Sequence, residues 1–215
     1  MNKLVVFDFD GTLIHSLPDI ACSIQKTLAH FSAPTKTIEQ IGTYIGNGAK
    51  NLVKRAFDGN LTEEQLLERL AYYSNAYKTS GAPLTTVFDG MKEVINELKK
   101  RGYKIALLTN KPQDQTDKIF ARLFSECAFD AVVGDRADRK RKPDPTELIN
   151  IVNTLGASKE QTYMVGDGDA DVQTALNAGV SSICVLWGYR SKEQLEKVGG
   201  TVFINNPTEL LDIIK

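Results

Sequence analysis

Short, unbroken apolar runs punctuate the chain. The first covers residues 4–9, and similar runs recur at 103–109, 129–134, 162–166, 181–186 and 201–204. Runs of this length with no polar alternation predict strands buried on both faces. Between most of them the apolar positions change to helical spacing. Met91–Lys100 follows Asp89 as N-cap and stops before Gly102, a suitable residue just past a helix end. Asp144-Pro145-Thr146-Glu147 offers an N-cap, a proline at the first helical position and a capping-box acid. Leu148, Ile149, Val152 and Leu155 then share one apolar face. A further helix is predicted near 170–178, ending at Gly179, and the last follows Asn206-Pro207. This alternation from about residue 86 to 215 implies an α/β fold, a parallel sheet covered by helices on both faces.

The first strand has no single crossover after it. Residues 14 to about 84 carry helical patterns at 16–31, 49–57 and 62–77 and no clear strand. Thr62-Glu63-Glu64-Gln65 reads as a capping box, and Gly81-Ala82-Pro83 signals a turn at the far border. The block reads as a helical insertion. Residues 1–13 with 85–215 are then the α/β core domain, and 14–84 the inserted helical domain.

The bulk numbers narrow the class. With 42% hydrophobic and 25% charged residues the chain can build a core and does not read as disordered. A net charge of −1, from 26 basic and 27 acidic residues, gives no support for broad nucleic-acid binding. Cys22, Cys127 and Cys184 are widely spaced and form no metal-binding pair, which favours free thiols. The apolar stretch before Asp8 is far too short for a signal segment, and no run of about 20 apolar residues occurs. A cytoplasmic protein with no membrane contact is expected.

Candidate chemistry gathers at the predicted strand ends. In Asp8-Phe9-Asp10-Gly11-Thr12, strand alternation would put Asp8 and Asp10 on one side. Two carboxylates there repel unless a cation or proton offsets them. Alone, the segment could equally be an Asp-Gly turn with two solvated acids. Val165-Gly166-Asp167-Gly168-Asp169-Ala170-Asp171 also follows an apolar run and opens a helix. It is no EF-hand, because Val172 and Ala178 stand where that loop needs glycine and glutamate. Thr109-Asn110 could bind a phosphate oxygen or simply cap a helix. Residues 139–142 form a basic run, a solvated loop unless Pro143 and the capped helix fix Lys142.

Taken together and in this order, the four segments resemble the motifs of the haloacid dehalogenase-like hydrolases, in their phosphatase branch. The resemblance covers essentially the whole chain and implies a Rossmann-like parallel sheet core with an inserted helical cap domain. Ser16-Leu17-Pro18-Asp19-Ile20 and Ile45-Gly46-Asn47-Gly48-Ala49, followed by Leu52, Val53 and Arg55, are similar to the cap of phosphoglycolate phosphatases. Two departures stand out: His15 replaces a usual aspartate, and Val87-Phe88 replaces a usual Tyr-Pro before Asp89. His15 is expected at the hinge, as a hinge residue or a substrate contact.

The resemblance implies roles. Asp8 is the nucleophile and Asp10 the general acid and base. Thr109, Lys142 and backbone amides near Gly11 and Asn110 hold the phosphoryl oxygens. Mg²⁺ is bound by the Asp8 side chain, the Asp10 carbonyl and the Asp167 side chain, with Asp171 behind them. Gly46, Asn47 and Arg55 are candidate substrate contacts, although a flexible connection and a solvated helix arginine would look the same. The expected partner is a small phosphorylated substrate, 2-phosphoglycolate foremost, with no nucleic acid and with a monomer or homodimer as the assembly. Pyrophosphate, a nucleotide or a sugar phosphate are alternative substrates, and a phosphomutase is an alternative reaction. Asp10 argues against dehalogenation, which needs no proton for an alkoxide. A binding module without catalysis would have lost these acids. A P-loop NTPase would need a motif that Gly46-Asn47-Gly48-Ala49-Lys50 does not supply.

Overall fold

A computed structural model describes residues 1–214. The chain divides into two compact units. One is Met1–Ile14 with the chain from Val87 onward, and the other is His15–Thr86.

In the first unit, β1 (Asn2–Phe7) is the central strand, and Leu4, Val5, Val6 and Phe7 are fully buried. The chain then turns tightly. The carbonyl of Phe9 accepts from the N–H groups of Thr12, Leu13 and Ile14, and Asp10 bridges to Ile14. The strand therefore stops at Phe7, two residues short of the sequence expectation, and Asp8 and Asp10 belong to the turn. A short pair, β2 (Ile14–His15) and β3 (Thr86–Val87), lies where the insertion leaves and rejoins. Neither was legible, since two residues carry no alternation.

The inserted unit holds α1 (Leu17–His30), α2 (Ile38–Tyr44), α3 (Gly48–Ala56) and α4 (Glu63–Ser80). The capping box of Thr62 and Gln65 opens α4, and an equivalent one of Thr37 and Gln40 opens α2, a helix too short to show its period.

Beyond β3, the elements alternate: α5 (Met91–Lys100), β4 (Lys104–Pro112), α6 (Gln113–Leu123), β5 (Ala131–Asp135), α7 (Thr146–Thr154), β6 (Ala157–Gly166), α8 (Asp169–Ala178) and β7 (Ser181–Val185). Then come α9 (Lys192–Lys197), β8 (Phe203–Ile204), a 3₁₀ turn at Pro207–Glu209 and α10 (Leu210–Ile213). The six-stranded sheet has the order β5-β4-β1-β6-β7-β8, every pairing parallel. Leu4, Val6, Ala106, Leu108 and Met164 pack against α7 and α8 on one face. Alternation turns Val5, Phe7, Ile105 and Leu107, all fully buried, to the other. This is the expected Rossmann-like architecture.

Several boundaries differ for physical reasons. β4 runs past Thr109 to Pro112, and its pairing with β5 shifts register after Leu108. β6 begins at Ala157, ahead of an irregularity that hides its start. Gly90, at φ +82°, caps α5 in place of Asp89, in a left-handed conformation that favours glycine. The cap residue of α7 is Pro145, while Asp144 accepts from the Thr146 N–H at 2.9 Å.

Candidate active site

Sheet order places the site. The chain leaves β1 toward β4 on one side and β6 on the other, so the carboxyl ends of three neighbouring strands form a switch point, where ligands bind in open α/β sheets. Phe7 is in register with both Leu107 and Val165. Asp8, the segment from Thr109 to Lys111, and Asp167 therefore emerge side by side.

Lys142 is buried and reaches into this group. Its Nζ lies 2.7 Å from Asp8 Oδ1 and 2.6 Å from Asp171 Oδ1. The loop that carries it is firmly tied. Asn110 holds the Lys142 backbone at both ends, donating from Nδ2 to its carbonyl (3.0 Å) and accepting its N–H at Oδ1 (2.9 Å). Arg139 donates to Gln113 Oε1 and the Gly134 carbonyl, and Arg141 pairs with Asp135. Three of the four residues of the basic run thus serve as two struts, Arg139 and Arg141, and one buried ammonium, Lys142. The peptide bond from Lys142 to Pro143 is cis.

Asp167 is caged. Oδ1 accepts from the Thr12 hydroxyl (3.0 Å) and Oδ2 from the Tyr189 N–H (2.8 Å). Two glycines make room for it: a Cβ on Gly11 would lie 2.3 Å from Asp167 Oδ2, and one on Gly188 would lie 2.2 Å from Asp167 Cβ. Gly11 also sits at φ +86°, which favours glycine. Its N–H donates to the Ile14 carbonyl (2.9 Å), so this one amide is used within the turn, and a phosphoryl oxygen would be met by neighbouring amides. The turn needs that bond to close. Asp171 splits its oxygens between Lys142 and the Gly168 N–H (2.9 Å).

The charges do not balance within this group. Asp8, Asp167 and Asp171 are buried, with one carboxylate oxygen of each within 4.8 Å of the others. With all three ionised, the Lys142 ammonium would leave two negative charges uncompensated. Burial, reinforced by Asp171, pushes Asp8 up to about 7 despite Lys142. Burial and the charges of Asp8 and Asp171 push Asp167 up to about 8. Burial opposes the charge on Lys142, yet Asp171 and Asp8 outweigh it and raise its pKa. An all-oxygen donor set with a deficit of two positive charges fits a hard divalent cation.

Residues 5–185 match the model of the haloacid dehalogenase-like hydrolase family. The chain belongs to that family. The hydrolase is 34% identical over 216 residues to phosphoglycolate phosphatase 1 of Pseudomonas aeruginosa, covering 98% of this chain and 79% of that protein. It is 30% identical over 218 residues to the phosphoglycolate phosphatase of Psychrobacter arcticus, covering 98% and 92%. A crystal structure of a predicted phosphoglycolate phosphatase from Haemophilus somnus superimposes with a TM-score of 0.90 at 28% identity, covering 100% of this chain and 98% of that one. The hydrolase is accordingly an enzyme acting on phosphoric monoesters.

Other expected residues fall as follows. Thr109 is buried, and its Oγ1 accepts from the Lys111 N–H (3.2 Å). Asp10 faces Lys111, whose Nζ lies 3.0 Å from Oδ1 and 3.2 Å from Oδ2. Within the inserted unit, Arg55 donates to the Tyr44 carbonyl (3.1 Å) and to Asn47 Oδ1 (3.0 Å), and Gly46 takes φ +108°. These bonds brace the connection between α2 and α3. His15 is half-buried in β2. Sequence reasoning missed Lys111, Gly188 and Tyr189, and gave Thr12 no role of its own within the first segment. Lys111 had a usable signal, lying two residues beyond Thr109 on the same strand; the Trp187-Gly188-Tyr189 segment had none. Among the described residues, no helix is long and apolar enough to cross a membrane.

Proposed function

We propose that the hydrolase cleaves a small phosphomonoester, 2-phosphoglycolate foremost, with Mg²⁺ and through an aspartyl-phosphate on Asp8. The observation that carries this is the meeting of Asp8, Lys142, Asp167 and Asp171 at the sheet's switch point. The names of the relatives support the substrate.

In this reading an Asp8 oxygen attacks phosphorus while the ester P–O bond breaks. Asp10 gives its proton to the departing alkoxide. It then takes a proton from the water that attacks the aspartyl-phosphate, releasing phosphate and restoring Asp8. Thr109 and Lys142 hold the phosphoryl oxygens as charge redistributes. Asp171 keeps the Lys142 ammonium in place. The Asp8 and Asp167 side chains and the Asp10 carbonyl would hold Mg²⁺, which would supply positive charge beside the buried carboxylates and the substrate's phosphoryl group. Gly46, Asn47 and Arg55 are proposed to recognise the part of the substrate beyond the phosphoryl group. The reaction belongs in the cytoplasm.

A substrate panel with Mg²⁺ tests this. 2-Phosphoglycolate is expected to turn over with the highest kcat/KM among phosphoglycolate, pyrophosphate, nucleotides and sugar phosphates. Turnover no faster than generic esters would overturn the substrate. Isomer formation from glucose 1-phosphate, without phosphate release, would overturn the reaction class. Near-normal turnover by Asp8→Asn, with deamidation excluded by mass spectrometry, would overturn the nucleophile.

A further inference from the structure

Lys111 is a buried cation outside the group formed by Lys142. Its side chain is only 5% exposed, and its Nζ contacts both oxygens of Asp10. The backbone beneath it is tied down. Its N–H donates to Thr109 Oγ1, and its carbonyl accepts from Thr116 Oγ1 at 3.4 Å. Gly134 on β5 passes so close that a Cβ there would lie 3.0 Å from that carbonyl oxygen. Lys111 therefore projects from a fixed point on the sheet. Asp10, by contrast, stands in a turn, with two side-chain torsions of its own. Burying an ammonium costs desolvation that a methionine of similar length would not incur, so filling space does not account for a lysine here.

We propose that Lys111 is a positioning residue for Asp10. Its ammonium fixes the rotation of the carboxyl group: when Asp10 carries the proton, one oxygen keeps the Lys111 contact and the other presents its O–H to the departing alkoxide, so that transfer starts from one geometry. The inference rests on the reading of Asp10 as general acid. Proton transfer matters when the leaving group is a strong base and matters little when it is a weak one. An alkyl phosphate needs the proton; p-nitrophenyl phosphate expels a stabilised phenolate without it.

The test compares kcat/KM, which reports the steps up to alcohol release, for 2-phosphoglycolate and p-nitrophenyl phosphate. Lys111→Met is expected to lose at least ~10-fold more on the alkyl ester than on the aryl ester, a fraction of the ~10²–10⁴ that general acid catalysis supplies. Lys111→Arg is expected to recover part of that difference. Circular dichroism checks the fold, and Lys111→Gln carries the same prediction should the methionine variant fail to fold. Equal losses on both esters, or none, would overturn the proposal and leave Lys111 a structural ion pair. Asp10→Asn is run in parallel. If it loses both esters equally, the acid reading of Asp10 falls and takes the inference with it. If Asp10→Asn discriminates and Lys111→Met does not, only the Lys111 proposal falls.

Discussion

Asn110 spends its side chain on the backbone of Lys142, bonding the carbonyl and the N–H together. A lysine on a loop has four flexible side-chain torsions, so the loop's own placement decides where the ammonium arrives. Asn110→Ala is expected to leave the fold intact and to lower kcat by ~10–100-fold, the usual cost of removing a residue that orients a reacting group. Asn110→Asp should fare no better, because a carboxylate cannot donate to the Lys142 carbonyl. A kcat within ~2-fold of wild type in both variants would show that Lys142 needs no such support. This role was hidden in the sequence. Thr109-Asn110 was legible as a pair at a strand end, and its backbone amides were the expected donors. The side chain's partner lies 32 positions away, across a loop whose path no local pattern encodes. Asp8 and Asp167 were legible for the opposite reason: each directly follows a buried strand, so topology alone brings them together.

Asp130 performs the corresponding task for whole elements. It stands just before β5, bonded to Lys99 of α5 (2.7 Å) and to Lys104 (3.0 Å) and the Ile105 N–H (2.8 Å) of β4. Burial alone would raise its pKa, but these donors outweigh burial and hold it below the ordinary carboxylate value. The sign of the pH dependence follows. Because the folded state binds this proton less tightly, the stabilisation is full above the unfolded-state value near 4 and is lost as pH falls through the lowered folded value. Asp130→Asn is therefore expected to cost ~1–2 kcal/mol at pH 7 and much less near pH 2 in urea melts. A constant difference across that range would contradict the charge-based account. At this scale the long helices and the buried strands were readable, because their periods repeat several times. The short helices α2 and α9 and the strands β2 and β3 were not: two to seven residues cannot establish a period, and these lack the apolar run that marks β8 and the Asn206-Pro207 signal ahead of α10.

At the scale of the molecule, the parallel sheet draws three acidic side chains to one end, where a single ammonium would leave them two positive charges short once all three ionise. Such a surplus destabilises the protein unless a cation offsets it, so the proposed Mg²⁺ site should be visible in stability as well as in activity. Protein stripped with EDTA is expected to gain thermal stability on adding Mg²⁺, with saturation. At 100 times the dissociation constant the gain is ~2.7 kcal/mol, or about 5–10 °C in Tm for a chain of this size. Asp8→Asn sharpens the test. Burial and Asp171 already favour the uncharged form of Asp8, and an amide supplies that form permanently while keeping an oxygen for Lys142. The variant is expected to melt above wild type in EDTA, to gain far less from Mg²⁺, and to release no phosphate. This is the trade between stability and function that a site built from crowded charges implies. Two outcomes would refute the charge argument: a wild-type Tm indifferent to Mg²⁺, or an Asp8→Asn protein less stable than wild type in EDTA. The first would mean that Lys142 and the bonds to Thr12, Tyr189 and Gly168 suffice to hold the three acids without metal.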